Sequence, residues 1–219
     1  METEPYPKQA LYLAAPALAA LVGVHLLPDA GGVDPIRELM SEYPVRSDVG
    51  TLYTLALLVA NVAVMILGVH WVRHGILRSR PGAAVLLAAW CLSLLGLTVF
   101  LKDPAGSHGT LAGAVHMVCT VVNFAAMPAL CALLWWQHRR DARWRAPATA
   151  VGVVAALTAA CVVPFAVVLA TGEPGALSSA SLGLVERVVV ALDVVAVVVL
   201  AVWSGSAGRP DEPRPSSAP

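Results

Sequence analysis

The chain has 219 residues, 58% of them hydrophobic and 13% charged, with a mean hydropathy of +0.75. It is too apolar for an ordinary soluble domain and far too apolar for disorder. The 14 Lys+Arg are balanced by 14 Asp+Glu, so no basic excess is available for nucleic acid. What remains is a multi-pass protein of the cell membrane.

A bilayer core about 30 Å thick needs about 20 mostly apolar residues per spanning helix. Six segments meet this: 10–27, 50–72, 82–101, 110–136, 147–171 and 182–203. Their runs of Ala, Val and Leu lack the alternation of barrel strands, and helices satisfy the backbone in lipid. The expectation is an all-α bundle of six transmembrane helices forming one domain over 1–203. The tail 204–219, rich in Gly, Pro, Ser and charge, is expected to be disordered and cytoplasmic. Glu2 and Glu4 beside a single Lys8 make a poor signal-peptide leader, so the first span is expected to stay. Cys91, Cys119, Cys131 and Cys161 all fall inside spans with no CxxC, as small apolar fillers do.

Charge gives an orientation. Lys8, Arg73, Arg78, Arg80, Arg139, Arg140, Arg143, Arg145, Arg209 and Arg214 lie on one side, and Arg37, Arg46, Lys102 and Arg187 on the other. The positive-inside rule makes the first side cytoplasmic, with both termini there. Trp71, Trp135, Trp136, Trp144 and Trp203 sit near that side, as an aromatic belt would.

Polar residues inside spans are expensive and serve as functional-site hypotheses. His116 and Asn123 are seven apart, as are Glu186 and Asp193, and Tyr53 and Asn61 are eight apart. Two helical turns separate each pair, so each is expected on one face. Asn61 and Asp193 fall near the bilayer midplane. If the three faces converge, they line a polar cavity open to the outer side. His25, Ser41, Tyr43, Asp103 and His108 are candidates for its mouth, with the first outer loop, about 28–49, as a lid. Plainer roles stand beside these: Asn61 and Asn123 as interhelical bonds, His116 as a structural histidine, and Glu186–Arg187 as an interfacial pair. His70 and His74 read as headgroup contacts. His25 and His116 make a weak match to a haem pair.

His25-Leu26-Leu27-Pro28, Asp34-Pro35, Ser41-x-Tyr43, Gly50 and Tyr53 resemble the start of the domain-of-unknown-function family 998 of actinobacteria. So do Phe100…Asp103-Pro104, Thr110-x-x-Gly113-x-x-His116 and Glu186-Arg187. The resemblance spans about residues 11–203 and implies a six-span membrane protein, without an activity. The family tends to carry Phe-Pro-Thr-Asp-Pro after the third span, where this chain has Phe100-Leu101-Lys102-Asp103-Pro104. In size and layout, not in motif, the chain is also similar to small integral-membrane terpene cyclases of secondary metabolism.

Three functions compete. The first is an enzyme on a lipid-soluble prenylated molecule: a proton-initiated terpene cyclase, working without cofactor or metal. A carboxyl group buried in lipid stays protonated and can protonate an alkene or epoxide. Asp193 or Glu186 is the candidate acid, and His116 or Asp103 the closing base. Tyr53, Phe100, Phe124 and Trp90 would supply cation–π surface. Tyr43, His25, Asn61 and Asn123 would complete the substrate site. The chain has no paired Asp-rich motifs for magnesium-bound diphosphate, and an upstream prenyltransferase is an implied partner. The second is a carrier, sensor or accessory subunit with a proton or cation site at Asp193. The third is a haem electron-transfer protein.

Overall fold

The computed structural model describes residues 6–26, 32–46, 49–73, 77, 80–104, 106–171 and 182–207. They form α1 (Tyr6–Leu26), a 3-10 turn (Met40–Glu42) that runs into α2 (Tyr43–Arg46), α3 (Gly50–Arg73), α4 (Arg80–Val99), α5 (Leu111–His138), α6 (Arg145–Thr171) and α7 (Leu182–Ala207). No strand occurs among the described residues. Each of the six apolar segments falls on one long helix. Among the described residues four meet the length and hydropathy of a membrane crossing: α3, α4 from Pro81, α5, and α6 through Val167. The apolar stretch Gln9–Val24 of α1 is shorter. The tail from residue 208 lies outside the described residues.

The long helices pack in chain order: α1 on α3, α3 on α4, α4 on α5, α5 on α6 and α6 on α7. Helix α7 closes the ring onto α1 and also touches α3 and α5 across the interior. The pattern along α3 shows why. Leu55, Val62, Met65, Val69 and Val72 recur every three to seven residues and stay exposed, as a lipid-facing stripe would. Asn61, Val64, Leu67 and Trp71 alternate with them and are buried.

The larger buried cluster runs from the middle of the bundle to the Arg-rich end, around Leu67, Leu130, Leu134, Leu200, Trp71 and Trp203. A smaller one, with Leu21, Val24, Met40, Tyr43, Tyr53 and Ala56, closes the opposite end. Trp71 and Trp203 therefore belong to the core rather than to an interfacial belt. Trp203 packs against His138 and Trp144, with ring centroids 5.1 and 6.0 Å away. Trp136 does stand outward, with the Arg139 guanidinium 3.5 Å from its ring centroid. His70 is likewise no headgroup contact. It is buried, with Nε2 3.4 Å from the Ser204 carbonyl of α7. His74 lies outside the described residues.

Candidate functional site

The acidic end of the bundle is roofed by residues 32–46. Asp34 starts this lid. Its Oδ1 accepts from the amides of Ile36 (2.8 Å) and Arg37 (3.3 Å), and Glu38 Oε2 accepts from the Asp34 amide (2.7 Å). Such reciprocal side-chain caps hold a tight turn without a long helix. Arg46 Nη1 then bonds Glu38 Oε1 at 2.5 Å. That hydrogen bond, followed by the one from the Asp34 amide, holds the Glu38 carboxyl below the usual range.

The lid is seated on the first turns of α7. The Leu184 amide, one of the donors a helix start leaves unpaired, donates to the Ile36 carbonyl at 2.9 Å. Arg187 Nη1 donates to the Glu38 carbonyl at 2.8 Å, and Nη2 to the Tyr43 hydroxyl at 3.4 Å. Glu186 Oε2 accepts from the Met40 amide. Gly183 makes the seat possible: a β-carbon there would collide with the Glu38 carbonyl oxygen and lie 2.8 Å from its nitrogen. Lys102, from the turn after α4, pairs with Glu42 of the lid. The Glu186–Arg187 dipeptide thus anchors the lid rather than forming a simple solvated pair.

The α4–α5 turn is a second unit. Asp103 accepts from the Thr110 amide (2.9 Å, Oδ2) and hydroxyl (2.6 Å, Oδ1), while Thr110 Oγ1 caps α5 by accepting from the Gly113 amide (3.1 Å). A side chain at Gly113 would occupy the place of the Asp103 carboxylate. The hydroxyl, then the amide of Thr110, hold the Asp103 carboxyl below its ordinary range. His116, two turns into α5, sits 2.8 Å from the Phe100 carbonyl through Nδ1. A carbonyl only accepts, so Nδ1 carries the proton and a neutral ring keeps its lone pair on Nε2.

Two stacked cavities lie beneath the lid. The upper, about 60 Å³, brings together Ser41 and Pro44 of the lid, Tyr53 of α3, His116, Thr120, Asn123 and Phe124 of α5, and Glu186 of α7. The lower, about 210 Å³, contains Asp193 and Trp90 among apolar side chains of α1, α3, α4 and α7. Leu57, Leu94, Asn123 and Val190 border both, so the two form one column. Asp193 is 8% exposed. Trp90 shares this cavity, and neither Trp90 Nε1 nor Asp193 Oδ1 has a partner in hydrogen-bond geometry. Two larger grooves, about 780 Å³ between α5 and α6 and about 610 Å³ between α3 and α4, open on the outer surface of the bundle and contain neither acid.

The polar faces of α3, α5 and α7 therefore converge, with one member displaced. Tyr53, His116, Asn123, Glu186 and Asp193 line the column, as do Phe124 and Trp90. Asn61 does not: its Nδ2 donates to the Cys91 carbonyl of α4 at 3.0 Å. At about 100° per residue, seven residues return to within about 20° of the start, whereas eight overshoot by about 80°. Asn123 serves both roles, since its Nδ2 also reaches Ser93 Oγ at 3.2 Å. Asp103 lies in its turn outside the column, and Phe100 contributes its carbonyl while its ring is exposed. Tyr43 is buried in the lid with its ring 5.8 Å from that of Tyr53. The side chain of His25 lies outside the described residues. The column is roofed and largely apolar, where an open polar cleft was expected. Thr120, one turn beyond His116 on the same face, is a lining residue that the i, i+4 spacing announces. Among the described residues no three His, Cys, Asp or Glu gather as a metal site.

Fold and site together define an all-helical membrane protein with a lidded internal column holding two buried carboxyl groups. The family model described as "Protein of unknown function (DUF998)" matches residues 13–203, and the chain belongs to that family. No curated protein and no solved structure matches it.

Proposed function

We propose that this protein is an enzyme of the cell membrane that cyclises a lipid-soluble isoprenoid by protonating it, with Asp193 as the acid. The carrying observation is a single carboxyl group with an unpartnered oxygen, beside an indole and the Asn123 amide, in a cavity whose other walls are apolar. In this reading all six long helices span the bilayer, with both termini and the Arg-rich end cytoplasmic.

The chemistry follows from the walls. The neutral carboxylic acid is the form a dry apolar cavity tolerates. Its proton adds to the oxygen of a terminal epoxide of the substrate, whose carbon–oxygen bond breaks to leave a hydroxyl and a positive carbon. The alkene electron pairs then form the ring bonds, and the positive charge moves along the chain. Trp90 faces that charge with its ring, and aliphatic walls exclude the water that would quench it. A base removes one proton to restore an alkene, so the product is an isomer of the substrate. His116 Nε2 is the candidate base in the upper cavity, and Glu186 is the second acid of the column.

Membranes containing the protein should convert a prenylated aromatic terminal epoxide into a cyclic alcohol of unchanged mass. Asp193→Asn should lower this by about 10²–10⁴-fold, the range of general acid catalysis. Unchanged turnover in both Asp193→Asn and Glu186→Gln removes the mechanism. Proton-coupled uptake in liposomes without cyclisation favours the carrier reading instead.

A further inference from the structure

Resting on the reading of the lower cavity as a substrate site, we infer that it takes only the oxygen-bearing end of a hydrocarbon chain. The rest of that chain reaches it sideways from the bilayer, between α1 and α7.

The way in from the aqueous side is covered. The lid seals the upper cavity through the Met40–Glu186, Glu38–Arg187 and Ile36–Leu184 bonds and the Glu42–Lys102 pair. The exposed members of the lower cavity's wall are on other elements: Leu11 and Ala15 of α1, and Val198 of α7. Helix α1 lies mainly on α3 and touches α7 far less, so the gap falls between two helices with little to hold them together. Val198 lies five residues beyond Asp193 toward the Arg-rich end, about 7.5 Å along the axis. The portal therefore belongs to the leaflet at that end.

At about 210 Å³, the cavity is smaller than the ~300–1,000 Å³ of sites that enclose a whole organic ligand. A prenylated molecule fits only in part, and an apolar remainder lies naturally in the lipid that the portal faces. The polar atoms choose the end that enters. Trp90 Nε1 can only donate, and a neutral Asp193 carboxyl donates as well. Trp90 Nε1 and Asp193 Oδ1 are both buried with no partner in hydrogen-bond geometry, and an orphaned buried group costs free energy until something satisfies it. A hydroxyl, epoxide or carbonyl oxygen between them accepts from both. A bare alkene or alkane satisfies neither.

The test is photolabelling of the protein in lipid nanodiscs. The probes are a diazirine-bearing farnesol and the matched hydrocarbon without the hydroxyl. The prenol should label residues 11–18 and 190–198, and the hydrocarbon about tenfold less, the factor for one missing hydrogen bond to a buried group. Trp90→Phe and Asp193→Leu should each reduce prenol labelling by a similar factor. Ala15→Trp, which fills the portal without touching the polar atoms, should reduce it too. Asp193→Asn keeps a donor and should retain labelling while losing cyclisation, so binding and chemistry are read separately. Intact labelling in a protein that cyclises nothing overturns the enzyme reading alone. Equal labelling by the two probes, or labelling unchanged in both Trp90→Phe and Ala15→Trp, overturns the site and leaves water as the partner of Trp90 and Asp193.

Discussion

Gly183→Ala tests the lid with the smallest possible change. The added methyl meets the backbone of Glu38, not a flexible side-chain tip, so the lid must lift from α7. Four bonds cross that seam: Leu184 amide to Ile36 carbonyl (2.9 Å), Arg187 to the Glu38 carbonyl (2.8 Å) and to the Tyr43 hydroxyl (3.4 Å), and Met40 amide to the Glu186 carboxyl. A neutral bond is worth about 0.5–1.5 kcal/mol and one to a charged group about 1.5–3. Losing only the weaker part of this set shifts lid opening by about 2 kcal/mol, or roughly thirtyfold in the equilibrium. Hydrogen exchange of the protein in nanodiscs reads it directly. The amides of Met40 and Leu184 should exchange about thirtyfold faster in the variant, while those in the middle of α3 and α5 keep their protection. Unchanged exchange over residues 32–46 would refute the claim that the lid depends on its seat at Gly183.

Other substitutions separate structural from chemical roles. The Asp103 carboxyl is held below its ordinary value by Thr110. Its stabilisation is therefore complete above the unfolded value of about 3.9 and is lost as pH falls through the lower folded value. The melting temperature of the natural protein should fall below about pH 4, and Asp103→Ala should be less stable at pH 7 and lack that part of the acid slope; parallel pH profiles contradict it. Asn61→Leu removes an interhelical bond of a kind that averages about 0.6 kcal/mol, so thermal melting should move slightly and turnover not at all. A large loss of turnover would return Asn61 to the site. Lys102→Met frees Glu42 of the lid from a partly buried pair worth up to about 1 kcal/mol, so exchange at residues 40–46 should rise no more than about fivefold.

The helices were legible because a membrane span advertises itself by length and apolarity. The span 182–203 is found as Leu182–Ala207 and 147–171 as Arg145–Thr171, the differences being polar ends, with Arg145, Ser204 and Ser206, by which the helices outrun their apolar stretches. The heptad pairs His116/Asn123 and Glu186/Asp193 were legible for a geometric reason: seven residues nearly close two turns. Tyr53/Asn61 misled because eight do not. The lid seat was harder to see. Its bonds join Met40 to Glu186 and Glu38 to Arg187, about 150 positions apart, and the backbone carbonyls and amides involved leave no mark in residue type. The need for Gly183 at the start of a helix comes from a partner backbone, Glu38, that lies far away in the sequence. Trp71 and Trp203 looked interfacial from their place near span ends, but rotation about the helix, not depth, buries them.

The central claim is that Asp193 delivers the proton that starts cyclisation. Turnover of a prenylated terminal epoxide by membranes measures it. A cyclic alcohol isomeric with the substrate should form, and its formation should fall about 10²–10⁴-fold in Asp193→Asn. An acyclic diol in place of the cyclic alcohol, or cyclic alcohol formed at the natural rate by Asp193→Asn, would contradict it.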